Sequence, residues 1–122
     1  MKAAIAMTRG MYLGWVDSDD LLAPTALEET IAVLMSEPTV GMVYTHYHAI
    51  DEAGIDLGVG ARCQVSYSAV PLLMNFMTVR FRLLRRSVHD AVGGLEVDYE
   101  RAEEYDLWVV MHSNDQICND AL

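Results

Sequence analysis

An α/β fold, a mixed sheet flanked by helices, is what this sequence predicts, and three observations predict it. A short apolar run at residues 12–16 ends abruptly in carboxylates, as a buried strand does where it leaves a sheet. Between Pro24 and Pro38, Leu27, Ile31, Leu34 and Met35 recur at helical spacing. The segments 40–50 and 76–85 are rich in β-branched and aromatic residues, so strand-like and helix-like stretches alternate along the chain. At 122 residues the chain fits one domain, 1–122, able to bury about two-thirds of its unfolded surface.

Residues 1–9 have helical composition, and Gly10 ends that helix. After the strand at 12–16 and its acidic turn, Pro24 takes a first helical position, with Glu28 and Glu29 in the opening turns where the helix dipole favours negative charge. Val40 to Ile50, apolar on both faces, reads as a second central strand ending in a turn at 51–54. Gly58 and Gly60 suit a flexible excursion or a hairpin over 54–68, and 69–75 reads as a short helix. In the strand at 76–85, Met77, Val79, Phe81 and Leu83 share one face and Arg80 and Arg82 the other. One or two helical turns at 87–92 stop at Gly93-Gly94, a pair that permits positive φ. The last helix, 102–112, buries Tyr105, Trp108, Val109 and His112, and 113–122 gives no clear signal.

Composition excludes several classes of function. A formal charge of −10 opposes direct binding to a nucleic-acid backbone. Lys2 is the sole lysine, so neither a P-loop nor chemistry needing a lysine deep in the fold is available. Cys63 and Cys118 form no CxxC pair, which argues against a disulfide framework or a zinc site. The four histidines sit on apolar strands and helices and read as structural. No apolar run reaches the roughly 18 residues of a membrane span, and the amino terminus lacks a secretory signal pattern. A soluble, cytoplasmic protein is the expectation.

The chemistry concentrates in YLGWVDSDD, residues 12–20. In a strand, alternate side chains share a face, so Asp17 and Asp19 would point together, away from Ser18 and Asp20. Like charges so close call for a raised pKa or a bound cation, and a hard divalent ion suits paired carboxylates. An EF-hand loop starting at Asp17 fails because Leu22 stands where the sharp turn needs glycine. An aspartyl phosphatase of the haloacid dehalogenase type needs a downstream lysine, which this chain does not supply. Acids that only cap the next helix and solvate a loop remain the bland alternative. Arg80, Arg82, Arg85 and Arg86 form the one basic cluster, either a solvated, acid-paired face or a diphosphate contact.

Four segments in order, RGMYLGWVDSDDLLAPTALEE, VGMVYTHYHAIDEAG, FRLLRRSVHDAVGG and RAEEYDLW, resemble the inverting nucleotide-sugar glycosyltransferases of family 2, which have the GT-A fold. The resemblance covers about residues 3–112 and implies metal-dependent transfer of a sugar from a nucleotide-diphospho-sugar donor to an acceptor hydroxyl. By that resemblance Asp17 and Asp19 hold Mn²⁺ or Mg²⁺ on the donor's diphosphate, with Asp20 beside them, and Gly93 and Gly94 line the loop facing the sugar. The family's base is the aspartate of a Glu-Asp pair. Here the matching pair is Glu103-Glu104, which puts Glu104 in that position with Asp106 as the substitute. The QxxRW motif of processive polysaccharide synthases is missing, so transfer of single sugars is expected.

Family members begin with strands that grip the nucleotide base and ribose, and these precede the position of Met1. The resemblance therefore implies the carboxyl-terminal part of a GT-A domain. Without those strands the one at 12–16 becomes a sheet edge, which implies a homo-oligomer. A relative that no longer transfers sugar and survives as a binding or assembly module is the alternative function.

Overall fold

The computed structural model describes residues 2–64, 68 and 80–94. In chain order these form helix α1 (Lys2–Met7), strand β1 (Tyr12–Trp15), helix α2 (Ala26–Ser36), strands β2 (Met42–Tyr44), β3 (His48–Ile50) and β4 (Asp56–Val59), a 3₁₀ turn (Ala61–Gln64), strand β5 (Arg82–Arg85) and helix α3 (Arg86–Ala91). The α/β class holds. The described strands form two antiparallel groups, β1-β5-β2 and the hairpin β3-β4.

In the three-stranded sheet Leu13 and Met42 both sit opposite Leu84, while Gly14 and Val43 both sit opposite Leu83. Strand alternation then builds two cores, one per face. Leu13, Met42 and Leu84 pack with Ile5 of α1 and Val88 and Val92 beside α3. Leu34 of α2, Val43, Phe81 and Leu83 form the other, which includes the half-buried Ile31. Helices thus cover both faces. A side chain at Gly14 would press within 3.1 Å of Leu83, Phe81 and the Arg82 carbonyl, so the strand needs a glycine there.

The arginine cluster is neither simply solvated nor a uniform cationic face. Arg85 donates from Nε to the Val40 carbonyl at 2.8 Å and from Nη2 to the carbonyls of Leu34 and Glu37, serving the open C-terminal end of α2. Arg86 donates to the Gly10 carbonyl and the Thr8 hydroxyl, both at 2.6 Å, fixing the turn into β1. Arg82 is buried, and its guanidinium lies over the Trp15 ring at 5.9 Å. As the alternation at 76–85 predicts, Phe81 and Leu83 share a face opposite Arg82, although the strand itself begins only at Arg82.

Three expectations change. The segment 40–50 is not one central strand: β2 ends at Tyr44 on a sheet edge, and β3 restarts at His48 in the hairpin. Thr45 N–H still donates to the Phe81 carbonyl, but Tyr47 exchanges bonds with Gly60 and Cys63 instead, so the chain changes partners within two residues. Pro24 precedes α2, with Thr25 as its N-cap, because a turn closed from Ala26 N–H to the Ala23 carbonyl comes first. Along α2 only Leu34 of the apolar stripe is fully buried, joined by Thr30, while Leu27 and Met35 are exposed. The proposed elements at 69–75 and 102–112, and the 113–122 tail, lie outside the described residues.

Leu84 has no exposed surface and links β1 to β2 across the sheet. Leu84→Ala is expected to cost about 2–5 kcal/mol, read as a lower midpoint of urea unfolding with an unchanged slope.

Candidate functional site

Strand β1 delivers the chain to Asp17 and then ends, so the acids are not on a strand. Residues 17–20 form a turn closed by Asp20 N–H donating to the Asp17 carbonyl at 3.1 Å. The alternation that paired Asp17 with Asp19 on a strand face therefore does not apply. Both are exposed and line a cleft of about 760 Å³. Asp20 lines the same cleft but is engaged. Its carboxylate accepts from Arg80 Nη1 at 3.1 and 3.4 Å, and both side chains are about two-thirds buried.

The segment that changes sheets lines the same cleft through Thr45, His46, Tyr47 and His48, and Trp15 and Arg82 line it too. Tyr47 is held tightly. Its N–H donates to Cys63 Sγ at 3.3 Å, its carbonyl accepts from Gly60 N–H at 2.9 Å, and a methyl at Gly60 would overlap its ring. The Arg80 guanidinium lies over that ring, 5.1 Å from its centre. Cys63 therefore serves the backbone of this segment and is a free thiol.

Gly93 and Gly94 follow α3 with φ of 89° and 74°, a conformation that calls for glycine, so the positive-φ expectation holds. They are not among the residues lining this cleft. Gly94 instead packs against the buried His89, donating its N–H to the His89 carbonyl at 2.8 Å. Glu104 and Asp106 lie outside the described residues, as do Glu103, His112 and Cys118.

Two exposed carboxylates on one turn fit Mg²⁺ or Mn²⁺, since such ions are held by one or two carboxylates together with waters and substrate phosphates. Among the described residues no group of three potential ligands comes together, so this turn offers a partial coordination shell that a phosphate would complete. A cleft lined by acids, aromatic rings and arginines suits an anionic, ring-containing ligand bridged by a cation.

The sequence from residue 1 to residue 95 matches the family model for glycosyl transferase family 2. The chain belongs to that family. Among its relatives, the chondroitin synthase of Escherichia coli is 27% identical over 108 residues, covering 88% of this chain and 16% of that protein. The hyaluronan synthase of Pasteurella multocida is 26% identical, covering 88% and 11%. The O-antigen biosynthesis protein RfbC of Myxococcus xanthus is 31% identical over 106 residues, covering 84% and 8%. The chain thus spans less than a fifth of the length of these relatives, and its fold is that of part of a GT-A domain. No helix among the described residues is long and apolar enough to cross a membrane.

Tyr47 and the Asp20–Arg80 pair escape sequence reasoning. An aspartate in DSDD looks like its neighbours, and nothing local says that a residue 60 positions later takes it.

The hairpin beside the cleft carries a titratable contact. Asp56 accepts from Gly58 N–H at 2.7 Å and lies 2.8 Å from His48 Nδ1, and these two contacts, the backbone one first, hold its pKa below the ordinary carboxylate value. The stability they lend is complete above about pH 4 and is lost as pH falls through the lowered value. An NMR titration is expected to place the Asp56 midpoint below that of a model aspartate. His48→Ala moves it only part of the way back, because the Gly58 bond remains.

Proposed function

We propose that this domain takes part in metal-dependent transfer of a sugar from a nucleotide-diphospho-sugar to an acceptor hydroxyl, with inversion at the anomeric carbon. The supporting observation is the placement of Asp17 and Asp19 together on the wall of a large cleft in a chain of this family. Asp17 and Asp19 would hold Mn²⁺ or Mg²⁺, which would supply positive charge against that developing on the leaving nucleoside diphosphate. Trp15 and Tyr47 supply apolar surface for a ring of the donor, and Arg82 adds positive charge in the cleft. Glu104 removes the acceptor hydroxyl's proton as the oxygen attacks the anomeric carbon from the face opposite the diphosphate, with Asp106 the alternative carboxylate. Inversion follows from that single displacement.

The outer edge of β1 has no strand beside it among the described residues, and Met7, Met11 and Val16 near it are exposed. An open edge of this kind supports pairing with a second copy of the chain. Sedimentation at micromolar concentration is expected to give a species larger than the 13.6 kDa monomer, and a clean monomer contradicts the pairing.

The functional reading is tested by titrating uridine diphosphate (UDP) with and without Mn²⁺ while following tryptophan fluorescence, since Trp15 lines the cleft. Binding is expected to require Mn²⁺ and to vanish in Asp19→Ala, with the unfolding midpoint unchanged because Asp19 is exposed. No binding at millimolar UDP supports the binding or assembly module instead.

A further inference from the structure

Arg80 stands at a junction that neither the family match nor the DSDD motif explains. It precedes β5, and its guanidinium reaches two separate parts of the cleft: the Asp20 carboxylate at 3.1 Å and the Tyr47 ring at 5.1 Å. The turn that carries Asp17 and Asp19 is short and exposed. It begins two residues after β1, whose pairing with β5 ends at Trp15. Its last residue, Asp20, is anchored through its side chain by Arg80. A turn held at one end swings, and one held at both ends presents its middle residues in a fixed direction.

Tyr47 is locked from the other side by Gly60 and Cys63, so the surface Arg80 stacks on is itself rigid. The planar guanidinium uses its edge for the carboxylate and its face for the ring, a combination that lysine does not reproduce. Pairing Asp20 with Arg80 also offsets one of three like charges on the turn, which lowers the repulsion that Asp20 exerts on Asp17 and Asp19.

We propose that Arg80 is a positioning residue: by bridging Asp20 to the Tyr47 ring it holds the Asp17–Asp20 turn in the orientation that presents Asp17 and Asp19 to a divalent cation and its diphosphate. This rests on the cation-and-diphosphate reading of the cleft. Asp20 is accordingly a structural acid, and the cation is left to Asp17 and Asp19.

The test is the half-saturating Mn²⁺ concentration at fixed UDP in the intact chain, for the wild type, Arg80→Gln, Arg80→Lys, Asp20→Asn and the Arg80→Gln/Asp20→Asn double variant, with Asp19→Ala as the control that loses the cation. Arg80→Gln is expected to raise that concentration roughly tenfold, the scale of losing one charge-assisted anchor. Arg80→Lys stays raised because it keeps the charge and loses the bridge. Asp20→Asn removes the same ion pair without touching the approach to β5, and the double variant is no worse than either single change. Urea midpoints of all variants are recorded alongside, and a Mn²⁺ shift that persists where the midpoint is unchanged separates positioning from general destabilisation. Wild-type metal response in the Arg80 and Asp20 variants, or full rescue by Arg80→Lys, overturns the positioning role while leaving the cleft reading intact if Asp19→Ala still abolishes binding. A wild-type chain that binds no UDP with Mn²⁺ overturns both.

Discussion

Strand β5 is hydrogen-bonded on both sides, to β1 and to β2, and the arginines in and around it reach outward to nearly everything else that is described. The ladders extend past the strand ends, with Phe81 accepting from Thr45 N–H and Arg86 N–H donating to the Met11 carbonyl. Arg85 then serves the end of α2, Arg86 the turn before β1, and Arg80 the acidic turn after it. One antiparallel registration therefore sets the position of a helix end, of a strand entry and of the cleft's acidic wall. A one-residue slip would turn Leu84 from one core to the other face and break all three.

Much of the architecture was legible because it depends on local chemistry. The apolar run at 12–15, the helix with Glu28 and Glu29 in its first turn, and the glycine pair after α3 each follow from neighbours in sequence. What was not legible depends on long-range choices. Residues 42–50 contain no glycine or proline, so nothing in them marks where the chain leaves β5 for the hairpin; Tyr47 instead bonds with Gly60 and Cys63. The exposure of Leu27 and Met35 is likewise not readable from the helix's own apolar pattern.

The site shows the same division. DSDD raises a cation-binding turn as an expectation from composition, yet it does not say that Asp20 pairs with Arg80. The repulsion inferred from strand geometry is met differently in the fold: one acid is paired with Arg80, and the other two are exposed on a turn where water and phosphate can reach them. The segment around Tyr47 lines the same cleft as the turn.

Where the cation sits is the most direct question. Manganese-induced line broadening in the amide NMR spectrum of the uniformly labelled chain, recorded with UDP present, answers it residue by residue. Broadening centred on residues 17–20 and reaching residues 45–47 and Arg80 in the cleft is the expected result. Broadening that spares that turn and centres elsewhere, for instance on Asp51 and Asp56 of the hairpin, contradicts the role assigned to Asp17 and Asp19.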